Sequence, residues 1–192
     1  GGVPVVSFLH APYLSSEPVL PLQDRPIDLL FFGSINEKRK AIFSRIEACG
    51  WSVSLFDHPL YGDERDHFIR QAKAVFNCHF YESSRFEQAR AFHTLSLGTP
   101  LISERTARTA PPLAFEEAVT WVSDDQLESF FQNEFMSQAW VQRAQDQLQH
   151  FSSTDPQSQW KVAQHYCQSL LSTEDGASKI WRPSLMNLGS GK

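Results

Sequence analysis

The sequence predicts an α/β fold, a Rossmann-like parallel sheet sandwiched between helices, with extra helices at the C-terminal end. Three observations predict it. Short, almost continuously apolar runs alternate with stretches whose apolar residues recur at helical spacing, only a few residues link one to the next, and polar residues crowd at the exits of the runs. A run that is apolar throughout marks a strand covered on both faces, as in a parallel sheet, and strand–helix units with short links wind into right-handed crossovers.

The elements follow in order. Pro12, Pro18 and Pro21 fall among isolated apolar residues, so residues 1–26 read as a linker or the remnant of a preceding domain. The start at Gly1-Gly2 without Met, leading into an apolar run, reads as a fragment cut from a longer chain. Ile27-Asp-Leu-Leu-Phe-Phe32 is the first strand and stops at Gly33. Ser34-Ile-Asn-Glu37 fits a capping box, and Ile42, Phe43, Ile46 and Cys49 recur helically up to Gly50, which predicts a helix over about residues 35–49. Trp51–Phe56 alternates like a strand, and Gly62-Asp63 precede a helix with Phe68, Ile69 and Ala72 on its apolar face.

Ala74-Val-Phe-Asn77 opens a strand–loop–helix–turn–strand unit that ends at Glu104 after the tight turn Gly98-Thr-Pro100. Its loop, Asn77 to Ser84, is strongly polar, and loops at the carboxyl ends of parallel strands are where ligands bind. The basic loop Arg105–Pro112 leads to a fifth strand at Ala118–Val122, and Asp124-Asp125 cap a short helix through Leu127, Phe130 and Phe131. One further helix carries Val141, Ala144, Leu148 and Phe151, and another, after Asp155-Pro156, carries Trp160, Ala163, Cys167 and Leu170. The domain is thus residues 27–172, followed by a tail, 173–192.

With 192 residues, 41% of them hydrophobic, the chain can bury a full core. A net charge of −5 gives no overall field to attract nucleic acid or anionic lipid, so an anionic ligand must be held locally. There is no apolar run of about 18 residues, hence no membrane span, and no secretory leader pattern. Three cysteines, Cys49, Cys78 and Cys167, are odd in number with no close pair, which fits a reducing, cytoplasmic compartment.

Two places can carry chemistry. Gly33-Ser34, with Lys38 and Arg39 following, can cradle a diphosphate, because a glycine lets a ligand approach the backbone and a helix N-terminus with two cations favours negative charge. The same residues also suit a plain strand-to-helix turn. Glu87 can accept two hydrogen bonds from a vicinal diol such as ribose, yet Ser84-Arg-Phe-Glu87 is itself a capping box that would occupy it. His79, Tyr81 and Glu82 stand on the polar loop within reach of a base or sugar, and Arg90 is spaced to pair with Glu87. His93, on the same helix, reads as a packed histidine. Cys78-His79 beside Glu82 do not read as a metal site, since adjacent strand side chains point to opposite faces and no second Cys/His pair follows. A nucleophile-elbow pattern is also missing from the sequence.

In order along the chain, Asp28-Leu-Leu-Phe-Phe-Gly33-Ser with Asn36-Glu-Lys-Arg39, then Tyr61-Gly-Asp-Glu-Arg-Asp66, then Asn77-x-His79-x-Tyr81-Glu82, then Phe86-Glu87-Gln-x-Arg90 leading to Gly98-Thr-Pro100-Leu-Ile-Ser-Glu104, resemble the C-terminal, donor-binding domain of GT-B glycosyltransferases. The likeness is nearest to the bacterial CgeB-like and group 1 types and covers about residues 27–125. It implies a nucleoside-diphosphate sugar as donor substrate, no other cofactor and no metal, with Gly33, Ser34 and Lys38 or Arg39 at the diphosphate and Glu87, less readily Glu82, at the ribose. Many relatives carry two glutamates eight positions apart, where this chain has Arg85 and His93, so the carboxylate has shifted or its role is lost.

The family also places its acceptor site on an N-terminal domain, which residues 1–26 cannot supply. The resemblance therefore implies half an enzyme, inactive alone, that works with an N-terminal acceptor-binding domain or a partner chain. The alternative is a glycosyltransferase-like interaction domain without catalysis. A flavodoxin-like or receiver domain is disfavoured, because the first strand does not end in an acidic cluster.

Overall fold

The structure, a computed structural model, describes residues 18–56 and 59–153, together with Lys161, Gln164, His165, Cys167, Gln168 and Ser169. The chain divides into two compact units, one spanning Leu9–Thr154 and the other made of Gly1–Phe8 and Asp155–Lys192. In the second unit the described residues are helical and exposed. Trp160, Ala163 and Leu170 of the last predicted helix, the tail 173–192 and most of the N-terminal connector lie outside the described residues. The sheet belongs to the first unit.

Five parallel strands, β1 (Ile27–Leu30), β2 (Val53–Ser54), β3 (Ala72–Asn77), β4 (Leu101–Arg105) and β5 (Thr120–Ser123), lie in the order β2-β1-β3-β4-β5. Helices α1 (Glu37–Ala48), α2 (Gly62–Gln71), α3 (Gln88–Ser96), α4 (Leu113–Ala118), α5 (Leu127–Asn133) and α6 (Gln138–Ser152) cover it. The fold is α/β and Rossmann-like, as the alternation of runs predicts.

Successive strand residues face opposite sides, and the core divides accordingly. Leu29, Phe31, Phe76 and Ile102 pack with Phe43 and Ile46 of α1 and Phe131 of α5. Leu30, Val75 and Leu101 pack with Ile69 of α2, Leu95 of α3 and Phe115 of α4. Each such side chain, fully buried, contributes roughly 1.5–3 kcal/mol. Helix α6 serves both layers, with Trp140 and Ala144 in the first and Phe151 in the second. No described helix is long and apolar enough to cross a membrane.

Several boundaries differ from the sequence expectation. The first helix starts at Glu37, and its N-cap is Asn36, whose side chain accepts from the Arg39 amide at 2.9 Å. Ser34 is therefore not the cap. Asn36 prevails because its Nδ2 also donates to the Phe80 carbonyl at 3.0 Å, which fixes the side chain from both ends. Ala72, expected on a helix face, is the first residue of β3 and pairs with Ile27. α4 occupies a stretch between the Arg105–Pro112 loop and the fifth strand to which the sequence assigns no element, and β5 starts at Thr120, two residues later than predicted.

The Ser84–Glu87 capping box is also absent. Glu87 occupies the N-cap position of α3, but with φ −94° and ψ 76° its side chain makes no capping bond.

Arg25 is a buried anchor at the amino end of the sheet. Its guanidinium donates to the carbonyls of Leu20 (2.9 Å), Ala72 (2.9 Å) and Gly98 (3.0 Å) and to Thr99 Oγ1 (3.0 Å). Thr99 Oγ1 in turn donates to the Ile69 carbonyl at 2.8 Å, so the connector, α2, β3 and the Gly-Thr-Pro turn are tied together. Burial lowers the Arg25 pKa to about 10, which still leaves it charged near neutrality.

β1 stands between β2 and β3, so the links leaving β1 and β3 run to opposite sides of the sheet. That reversal opens a crevice outside the carboxyl ends of these strands.

Candidate functional site

Gly33 lies at this crevice with φ 138°, a conformation that side chains disfavour, and a Cβ there would stand 2.9 Å from Arg90 Nη2. The glycine thus lets α3 press its arginine against the turn that follows β1. Arg90 Nη2 donates to the Phe32 carbonyl at 2.9 Å, while Nη1 bonds Asn77 Oδ1 and pairs with Glu87 Oε2 at 2.5 Å. Burial lowers the Arg90 pKa, and the adjacent Glu87 carboxylate opposes that shift.

Arg39 takes the other oxygen of Glu87. Its Nη2 stands 3.2 Å from Glu87 Oε1, its Nε and Nη2 donate to the Cys78 carbonyl (3.1 and 2.5 Å), and Nη1 donates to the Ser34 carbonyl at 2.6 Å. The guanidinium also lies over the rings of Phe31 and Phe80. Glu87 is thus the centre of an Arg39–Glu87–Arg90 clasp that joins α1, the end of β3 and α3. Two buried cations share one carboxylate.

Lys38, a diphosphate candidate, pairs with Glu104 Oε1 at 2.7 Å; Glu104 Oε2 accepts from the His79 amide at 2.8 Å. Arg39 likewise turns inward, where its forked donor satisfies the carbonyls of both Ser34 and Cys78. His79 does not reach the crevice surface: its ring is fully buried, neither nitrogen has a hydrogen-bond partner among the described residues, and burial lowers its pKa. Cys78 is buried too, which pushes its thiol up to about 12. His93 pairs through Nε2 with Asp66 Oδ1 at 2.6 Å.

Tyr81 is exposed beside a cavity of about 290 Å³ that Ser34, Arg39, Phe80, Glu87 and Arg90 also line. Glu82 is exposed on the same loop. A larger cleft of about 520 Å³ opens at the ends of β1 and β2, with Gly33, Ser34, Leu55, Tyr61, Arg65 and Arg90 in its wall. A third cavity, about 460 Å³, shares Phe32, Arg65 and Arg90 with that cleft and reaches Gln88, Ala89 and His93. The structure therefore gathers Gly33, Ser34, Arg39, Tyr81, Glu87 and Arg90 at one sheet edge, with Lys38 paired to Glu104 and the His79 ring buried.

Leu55, Tyr61 and Arg65 are the site residues that sequence reasoning missed. A signal existed, since Tyr61 and Arg65 open the helix that follows a parallel strand, and such helix starts lie at the carboxyl edge. No group of three or more His, Cys, Asp or Glu residues able to hold a metal occurs among the described residues. Compared with known proteins, the chain matches no family model, no curated protein and no solved structure.

Proposed function

We propose that the unit binds a nucleoside-diphosphate sugar in the crevice between the ends of β1, β2 and β3, as the donor-binding half of a glycosyltransferase. The observation that carries this reading is the cleft itself. It lies where the strand order reverses, its 520 Å³ falls within the range of small-molecule sites, and a glycine turn backed by a guanidinium forms its wall.

In this reading Gly33 and Ser34 offer backbone to the diphosphate, and Arg90 behind them supplies positive charge. Leu55 and Tyr61 form an apolar wall for the base or the sugar. Glu87 gives one lone pair from each oxygen to the clasp; its side chain is 32% exposed, so a second pair remains for a ribose hydroxyl. Fixed positive charge at the departing nucleoside diphosphate would favour transfer without a metal. The acceptor would sit on a further domain or chain, and the unpaired cysteines suit a reducing, cytoplasmic setting.

Calorimetric titration of UDP-, GDP- and ADP-sugars against the native chain and Ser34→Trp tests the reading. Ser34 is exposed and borders two of the cavities, so the indole would fill them without disturbing the core. One donor should bind, and at least tenfold more weakly to the variant; no binding at millimolar concentration sinks the proposal. A second reading, a glycosyltransferase-like interaction domain without catalysis, has one observation in its favour: Lys38, Arg39, Glu87 and Arg90 already satisfy one another or their neighbours. It predicts no affinity for any nucleotide.

A further inference from the structure

We propose that Arg65 of α2 and Arg90 of α3 form a two-guanidinium clamp for a phosphoryl group at the junction of the two larger cavities. The inference rests on the nucleotide reading above. It adds Arg65, a residue that reading did not contain.

Position is the first ground. The 520 Å³ cleft and the 460 Å³ cavity have Phe32, Arg65 and Arg90 in common, so both arginines belong to the wall that the two spaces share. The Gly33–Ser34 turn borders the cleft on one side of that junction, and His93 borders the cavity on the other. A diphosphate bridging the junction would place one phosphoryl at the turn and the next between the two arginines.

Charge is the second ground. Among the described residues lining these cavities and the small one beside Tyr81, three guanidiniums (Arg39, Arg65, Arg90) face one carboxylate, Glu87. Asp66 lies 3.5 Å from Arg65 Nε, and even with it one positive charge is left over among the described residues. Glu87 is divided between Arg39 and Arg90, whose side chains are 3% and 11% exposed. Buried charge without a full counter-charge is costly, and an anion entering from the cleft would relieve it.

The third ground is the state of Arg65. Its Nε is buried and has no hydrogen-bond acceptor among the described residues, and Asp66 Oδ1, 3.5 Å away, also holds His93 at 2.6 Å. A phosphoryl group carries several oxygens at the spacing a guanidinium fork meets two at a time, which suits phosphate better than a single carbonyl or hydroxyl.

The test is calorimetry of inorganic pyrophosphate, orthophosphate, nucleoside diphosphates and the matching nucleosides with the native chain, Arg65→Gln and Arg65→Lys, with thermal melts to show that each variant is folded. Pyrophosphate and one nucleoside diphosphate should bind the native chain and bind Arg65→Gln about tenfold or more weakly, with Arg65→Lys between them and any nucleoside affinity unchanged. Equal binding by the native chain and Arg65→Gln overturns the clamp, even if nucleotides bind and the donor-site reading stands. Arg65-dependent pyrophosphate binding, with no gain from attaching a nucleoside or sugar, keeps the clamp and removes the nucleotide reading. No pyrophosphate binding to the native chain overturns the clamp as well.

Discussion

Glu87→Gln separates the roles open to this residue, because glutamine keeps the shape, removes the charge and still serves in a capping box. If Glu87 were a cap or a solvated surface residue, the change would be almost silent. In the clasp, Oε1 faces Arg39 Nη2 at 3.2 Å and Oε2 faces Arg90 Nη1 at 2.5 Å, so the new amide must turn its NH₂ toward one guanidinium. That sets donor against donor and leaves two buried cations without a counter-charge.

Hydrogen bonds to charged groups contribute about 1.5–3 kcal/mol net, and breaking a fully buried pair costs about 3–5 kcal/mol. Glu87 is 32% exposed, so water offsets part of this, and a loss of about 2 kcal/mol is expected. For a chain of this size that lowers Tm by about 4–8 °C. Thermal and urea melts give the value, and a double-mutant cycle with Arg90→Gln should return about 1 kcal/mol of coupling. A Glu87→Gln protein within about 0.5 kcal/mol of native, with no coupling to Arg90, would refute the clasp.

Three other outcomes follow from the same structure. Arg25→Leu strands the buried carbonyl of Ala72 and the partly buried carbonyls of Leu20 and Gly98 and should cost about 3 kcal/mol in urea melts, with Arg25→Lys recovering only part because an ammonium lacks the fork. Cys78, its thiol pushed up to about 12 by burial, should resist alkylation at pH 8–9 in the native protein while exposed Cys167 reacts, and should label only on unfolding; native labelling of Cys78 would contradict its burial.

Burial lowers the His79 pKa, so the unfolded chain takes up that proton first as pH falls below about 6.5. Stability should drop from there toward the folded pKa and then level off. His79→Phe should show a smaller loss of Tm between pH 7 and 5, and an identical loss would show that His79 is not buried neutral.

The sheet and most helices were legible because their apolar runs are long enough to show a period. α4 was not, since six residues with only Phe115 and Ala118 buried carry one turn of pattern. The start of α1 was misplaced because Ser34 and Asn36 both can cap, and the bond that decides between them comes from Phe80, far along the chain. At the site, the Glu87–Arg90 pairing showed in the i,i+3 spacing and the glycine turn in Gly33. The inward turn of Arg39 had no local signal, because its acceptor Cys78 is brought beside it only by β1 pairing with β3. Arg25 is similar, bonding carbonyls 47 and 73 positions away.

The most direct test of a donor nucleotide in this crevice is amide NMR of the labelled chain, titrated with nucleoside diphosphates and their sugars. The account predicts the largest shift changes at Gly33, Ser34, Tyr61 and Arg65, with smaller ones at Tyr81 and Glu87 and none at the amino end of the sheet around Arg25 and Gly98. Changes confined to that amino end, or a spectrum unaltered at millimolar nucleotide, would contradict it.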